Sequence, residues 1–216
     1  MPDFFERVLP LVDRTIALLA KEKFRSDPIG GEKYSRMTSV ISSAYKRHGT
    51  IIEAAIRERL RDNDNFEVWG EDVFRVSSAA NILSGNKDDC FGAALNYGEA
   101  ARNLQIDLIV YDKTKRTLRA YEVKRGNGNF DSGKKRSIMR DLLCAHVLLK
   151  SYGVSRGLDV SEAAARIIFY YGLRSIPQPL GLVGKELDEH FGFDLVSGVE
   201  LVNEYFQKRL YDLLDK

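Results

Sequence analysis

Hydrophobic residues recur at helical spacing near the start of the chain, and this period predicts an amphipathic helix over residues 4–24. A second helix is predicted from about Thr38 to Arg61, where four Asp and Asn residues, 62–65, end it. Phe66–Val76 has the apolar content of a strand. Residues 77–100 are small and polar, so they predict a long loop with room for one short helix. A loop of that length is more often functional than idle.

The clearest strand signals lie in the middle of the chain. Leu104–Tyr111 and Thr117–Lys124 have the composition of strands on either side of a turn-like segment, 112–116, and so predict a hairpin. Arg166–Gly172 is nearly all apolar, as expected of a strand that is covered on both faces.

Helices complete the pattern around these strands. Residues 134–150 have apolar positions at helical spacing, and a short helix is predicted over 184–191 after Pro177 and Pro179 stop regular structure. Ser197 followed by Glu200 is a capping box that begins a last helix reaching about Leu214. The order of elements predicts one α/β domain over 1–216, a central sheet flanked by helices, with helical additions at 1–25 and 184–216.

Charge is unevenly distributed along the chain. The 216 residues are 44% hydrophobic and 30% charged, and the net charge of +2 excludes a histone-like polycation. Residues 112–150, however, contain 11 basic and four acidic residues, a net charge of +7. A local basic block of this kind is suited to contact with phosphate groups.

The composition also predicts the compartment. Two cysteines, Cys90 and Cys144, are too few for a disulfide framework or a four-cysteine metal site. The first residues include acids where a signal peptide has bases and an apolar run. The most apolar stretches are too short to cross a bilayer. We therefore expect a soluble, cytoplasmic protein without a membrane partner.

The predicted hairpin brings charged residues onto one apolar face. If Tyr111 pairs with Leu118, the antiparallel register places Asp107 opposite Glu122, and alternation places Lys124 on the same face. Two opposed carboxylates repel each other in an apolar setting unless a cation lies between them. The face therefore predicts a divalent-metal site, the alternative being a solvent-facing hairpin with ordinary surface charges.

Glu53 is a further candidate for this site. A step of about 100° per residue places it on the apolar side of the second predicted helix, near Ile56 and Leu60. A carboxylate in that position can reach a site on the sheet, and the alternative is an acid at the boundary of the apolar face.

A helix, a strand, a hairpin with Asp107 and Glu122-Val123-Lys124, and a further helix and strand together resemble the PD-(D/E)xK nuclease superfamily. The resemblance covers about residues 38–172 and implies a restriction-endonuclease-like fold. Ile106 stands where the motif's name has proline, and the helix after Lys124 lacks the glutamine of the RecB-like branch.

The resemblance implies a Mg²⁺ site, which Mn²⁺ can also occupy, held by Asp107, Glu122 and the Val123 carbonyl, with Glu53 binding directly or through water. Lys124 would orient or deprotonate the attacking water or stabilise charge on the phosphorane. The implied activity is that of a DNA endonuclease similar to type II restriction enzymes. A structure-selective nuclease resembling Holliday-junction resolvases and a non-catalytic nucleic-acid-binding protein are the alternatives, and the intact acids argue against the second.

DNA is the expected partner, and the candidate contacts follow the basic block. They are the predicted hairpin tip, the residue after the motif, a Gly-Asn loop and a basic helix start: Lys113, Lys115, Arg116, Arg125, Asn127, Asn129, Lys134, Lys135 and Arg136. The helix dipole disfavours three basic residues at a helix start unless a bound phosphate compensates their charge. An apolar stripe on the last helix, from Leu201 to Leu210, predicts a homodimer, which suits cleavage of both strands of a duplex.

Overall fold

A computed structural model describes residues 3–126 and 130–215, in which the chain forms mixed α/β structure. Its helices are α1 (Phe4–Leu19), α2 (Gly31–Leu60), α3 (Ser78–Leu83), α4 (Lys87–Cys90), α5 (Ser132–Ser155), α6 (Leu187–Phe191) and α7 (Val196–Leu214). Its strands are β1 (Phe66–Val76), β2 (Arg102–Asp112), β3 (Thr117–Lys124), β4 (Glu162–Phe169) and β5 (Gly181–Val183). A short 3₁₀ helix, Gly184–Glu186, precedes α6.

Contacts divide the chain into two compact units: a helical unit, Met1–Asp62 with Phe191–Lys216, and a sheet unit, Asn63–His190. The division groups α2 with the terminal helices, whereas the resemblance assigned most of α2 to the core at about 38–172. The single nuclease domain over 1–216 stays a prediction. Among the described helices, none combines the length and the apolar character that a membrane span requires.

In the helical unit, α7 packs against α1 and α2. Val202, Phe206 and Leu210 are buried, so most of the apolar stripe from which a homodimer was predicted is used inside this unit. The prediction of a homodimer therefore loses that support. The predicted capping box is wrong: Leu195 is the N-cap of α7, and the Ser197 hydroxyl donates a hydrogen bond to the Asp194 carboxylate at 2.6 Å.

The sheet unit is built on five strands in the order β1-β2-β3-β4-β5. β2 pairs antiparallel with β1 and with β3, whereas β4 pairs parallel with β3 and with β5, so the sheet is mixed. β4 begins and ends earlier than predicted, and β5 was not predicted because three residues are too few to show a period. The mixed α/β class predicted from the order of elements is confirmed.

Helix α5 covers one face of this sheet. Its buried residues, including Leu143, Leu148 and Tyr152, belong to the same core as Ile109 and Leu118 of the hairpin. The predicted loop 77–100 contains α3 and α4 and contributes Ala80 and Cys90 to that core. Both cysteines of the chain are free and buried.

Candidate active site

Strands β2 and β3 form the predicted hairpin and then separate. The paired residues run from Asp112 and Thr117 to Leu108 and Tyr121, so the predicted pairing of Tyr111 with Leu118 is confirmed. Beyond Leu108 the first half of β2 pairs only with β1, and the end of β3 pairs only with β4. Beyond this point the ladder between β2 and β3 has no further paired residues, which leaves a gap between the two strands.

The Asp107 carboxylate lies in this gap. The pairing of Asp107 with Glu122 expected from the register is not part of the ladder, which ends one residue earlier. Instead, Asp107 Oδ2 accepts a hydrogen bond from the backbone N–H of Val123 at 2.8 Å. The Asp107 carboxylate thus takes the place of a backbone carbonyl as the acceptor for the Val123 N–H. This bond holds Asp107 of β2 against β3, the strand that carries Glu122 and Lys124.

Glu122 and Lys124 are in contact with each other through Glu122 Oε1 and the Lys124 ammonium. Their side chains are 29% and 34% exposed, so a ligand can reach both groups. Burial raises the pKa of Glu122, and the negative charge of Asp107 raises it further, while Lys124 acts in the opposite direction. The structure therefore brings Asp107, Glu122 and Lys124 together, as the sequence predicted.

The donor set has the chemistry of a magnesium site. Mg²⁺ commonly binds one or two carboxylates and keeps several waters, and Asp107 and Glu122 supply two carboxylates whose mutual repulsion such an ion would relieve. Within residues 3–126 and 130–215, no group of three or more His, Cys, Asp or Glu side chains is placed to hold a metal. Two carboxylates with retained waters are within what Mg²⁺ accepts, so Asp107 and Glu122 could hold such an ion.

Glu53, the fourth predicted ligand, lies on α2 in the helical unit. Its carboxylate accepts a hydrogen bond from Arg57 Nη2 at 2.9 Å, an i,i+4 ion pair on the helix. Its part in a metal site stays a prediction.

A cavity of about 260 Å³ opens where the separated strands face α5. Apolar side chains form most of its wall, and Gln105, Glu122 and Asp141 are the polar ones. Asp141 accepts a hydrogen bond at 2.7 Å from Arg102 Nη2, and Arg102 Nε donates another to Asn81 Oδ1 at 2.8 Å. The pair links the start of β2 to α5 beside the cavity wall that Asp141 helps to form.

Sequence reasoning did not identify Asp141. It lies three residues after Ile138 and four before Ala145, both of which line the same cavity. An acid at an apolar helical position was the signal that selected Glu53, and the same signal was present here. The charge of Asp141 also contributes to the raised pKa of Glu122.

The basic residues of the hairpin tip lie at the other end of β3 from Lys124, about 23 Å away at 3.3 Å per residue. Each has a partner. The Lys113 ammonium donates to the Asp64 carbonyl at 2.9 Å, Lys115 lies 3.8 Å from Asp112, and Arg116 donates to Asp159 at 2.6 Å. The structure does not bring these three cations to the candidate active site.

The other predicted DNA contacts follow β3 in sequence. The Arg125 guanidinium lies 5.6 Å from the Tyr171 ring centre, and the Lys134 ammonium 4.5 Å from that of Phe130. Lys135 and Arg136 are exposed on the first turns of α5. Asn127 and Asn129 lie outside the described residues.

The start of α5 already has an acidic cap. Asp131 Oδ1 accepts a hydrogen bond from the Lys134 backbone N–H at 2.9 Å, and this bond lowers the pKa of Asp131. The basic helix start therefore gives less reason to expect a bound phosphate, because the Asp131 carboxylate at the N-cap already accepts a hydrogen bond from a backbone amide of the first turn.

Comparisons with models of protein families, with curated proteins and with solved structures each found no match to this chain.

Proposed function

We propose that this protein is a divalent-metal-dependent endodeoxyribonuclease whose sheet unit is a restriction-endonuclease-like core of the PD-(D/E)xK type. One observation carries the proposal: β2 and β3 separate where Asp107, Glu122 and Lys124 meet, and Asp107 is fixed in the gap by the Val123 N–H. Two carboxylates and an ammonium at a break in a sheet, open to ligands, are suited to phosphodiester hydrolysis.

Asp107, Glu122 and the Val123 carbonyl are the groups that would hold the metal. A bound Mg²⁺ or Mn²⁺ would supply an activated water and neutralise charge on the scissile phosphate. Asp107 is preorganised for this role because its hydrogen bond to Val123 fixes one carboxylate oxygen. Lys124 contacts Glu122 and favours its charged form, against the burial and the Asp107 charge that raise its pKa.

Lys124 has two uses in the proposed reaction. Its ammonium contacts Glu122, so it orients that carboxylate. The same ammonium lies at the open side of the site, where it donates hydrogen bonds to an attacking water or to a phosphate oxygen whose charge grows in the transition state. Alanine at this position removes both functions and leaves the acids in place.

Nicking of a supercoiled plasmid with Mg²⁺ or Mn²⁺ tests the proposal. We expect cleavage by the wild type and its loss in Asp107→Asn and Glu122→Gln, because both carboxylates lie at the site. Glu162→Gln is the matched control, since Glu162 is exposed at the far end of β4, and should cleave normally.

Titration calorimetry with the same ions provides a readout that does not need cleavage. The wild type should bind the metal and the Asp107→Asn and Glu122→Gln double variant should not. Equal binding by both would contradict the metal assignment. A four-way junction cut in preference to the plasmid would favour the structure-selective class over the restriction-like class.

A further inference from the structure

A second cluster of charged residues lies on the other face of the sheet. Arg119 and Tyr121 alternate along β3 with Leu118 and Ala120, which belong to the core under α5, so the two sets point to opposite faces. Arg166 is the register neighbour of Tyr121 on β4. Parallel neighbours share a face, so two arginines flank one tyrosine there.

The tyrosine is fully buried and bonded to a histidine. Tyr121 Oη lies 2.8 Å from His190 Nε2 at the end of the sheet unit, with the rings edge to face. Burial and the charges of Arg119 and Arg166 lower the pKa of His190 to about 3. Burial also raises the pKa of Tyr121. Neither group therefore carries a charge at neutral pH, and neither balances the arginines.

Acidic side chains do not balance this cluster either. In the described structure the ion pairs of this region join Arg116 to Asp159 and Arg174 to Glu186, and none includes Arg119 or Arg166. Glu186 is the acid that acts on Arg166, but its carboxylate also contacts Arg174 and accepts the Val183 N–H at 3.0 Å.

The two arginines also act on each other. Burial and the neighbouring charge of Arg119 lower the pKa of Arg166. Adjacent, partly buried guanidinium groups cost free energy unless an anion shares them.

We propose that Arg119 and Arg166 form a binding site for a phosphate group. Guanidinium groups donate paired hydrogen bonds to phosphate oxygens, and these two lie on either side of the buried Tyr121. The site lies on the opposite face of the sheet from Glu122 and does not depend on nuclease activity. A phosphate of DNA and the phosphate of a small soluble ligand share this chemistry.

Thermal unfolding in sodium phosphate, with NaCl at equal ionic strength as the reference, tests the site. We expect phosphate to raise the Tm of the wild type above the NaCl value. In Arg166→Gln the phosphate Kd should rise by about tenfold or more, because a charge-assisted donor is lost. Without phosphate, the same variant should melt at or above the wild-type temperature, since the repulsion from Arg119 is removed.

Arg119→Gln repeats the measurement from the neighbouring strand, so the result does not depend on the folding of one variant. Arg140→Gln is the matched control on the exposed side of α5 and should keep the full response to phosphate. Two results would each overturn the proposal: a wild-type Tm equal in phosphate and NaCl, or an undiminished phosphate response in both arginine variants.

Duplex DNA binding in Ca²⁺ buffer identifies the source of the phosphate. If Arg119→Gln and Arg166→Gln weaken DNA binding and flatten its salt dependence, the site contacts the DNA backbone. If DNA binding is unchanged while phosphate or a mononucleotide still raises the Tm of the wild type, the site serves a soluble ligand. Both outcomes support a phosphate site, and neither depends on the outcome of the plasmid assay.

Discussion

The link between β2 and α5 is the first feature to test, because its acid, Asp141, lines the same cavity as Glu122. Arg102 donates to Asp141 at 2.7 Å and to Asn81 at 2.8 Å, so one side chain joins α3, β2 and α5. Replacing it in Arg102→Met keeps the apolar stem and removes both hydrogen bonds. The variant also leaves Asp141 without its cation on the same cavity wall as Glu122.

The expected cost follows from the exposure of the pair. Hydrogen bonds to charged groups contribute about 1.5–3 kcal/mol when buried. The Arg102 and Asp141 side chains are 28% and 36% exposed, so solvent screening lowers each bond to about 1 kcal/mol. Arg102→Met should therefore destabilise the protein by about 2 kcal/mol, equivalent to a fall in Tm of about 4–8 °C for a chain of this size.

Urea unfolding of Arg102→Met, Asp141→Asn and the double variant measures the link directly. The double-mutant cycle should give a coupling energy of about 1 kcal/mol. Arg116→Met is the matched control, because Arg116 and Asp159 form a 2.6 Å pair that is 53% and 72% exposed and should contribute less than about 0.5 kcal/mol. If Arg102→Met costs no more than Arg116→Met, or the coupling is zero within error, the reasoning is wrong.

Three further outcomes are expected. Lys124→Ala should stop plasmid nicking and keep DNA affinity in a Ca²⁺ gel shift, with Lys150→Ala unaffected in both; normal cleavage by Lys124→Ala would refute its catalytic role. Replacing Lys134, Lys135 and Arg136 together with alanine should weaken DNA binding and flatten the slope of log K against log salt by about 0.9 per lost phosphate contact. An unchanged slope would identify the start of α5 as a solvated surface. The pKa of His190 falls from 6.5 to about 3 on folding, so below pH 6.5 the unfolded chain binds the proton and the folded chain does not. The contribution of His190 to stability is thus complete above pH 6.5 and is lost as the pH falls towards 3. In urea unfolding, the free energy of unfolding of His190→Gln should decline less than that of the wild type between pH 6.5 and 4. Parallel curves for the two proteins would exclude this effect.

The sequence alone determined the local features of the candidate site. Two strand-like runs and the short turn between them indicate the hairpin, and a turn over 112–116 agrees with the pairing of Tyr111 and Leu118. Glu122 and Lys124 share a face, since two residues apart on a strand is a local relation. The pairing of Tyr111 with Leu118 was therefore predictable from the printed sequence.

Only the tertiary structure decided where the ladder between β2 and β3 ends. Beyond Leu108 and Tyr121, β2 pairs only with β1 and β3 only with β4, and no pattern within the hairpin shows which neighbour each strand keeps. That separation is why Asp107 bonds to Val123 and does not face Glu122 across the ladder. Contacts between residues distant in the chain, such as Arg102 with Asp141, arise only once strands and helices have packed.

The charge distribution shows the same division. The sequence predicted a basic block over 112–150, but it could not show which cations have partners, because those partners come from other elements: Asp64 before β1 and Asp159 before β4. Arg119 and Arg166 were not selected from the sequence, and they lie side by side on one face of the sheet without an ion pair among the described residues. Net charge is a property of composition, whereas unbalanced charge depends on packing, and only unbalanced charge predicts where an anion binds.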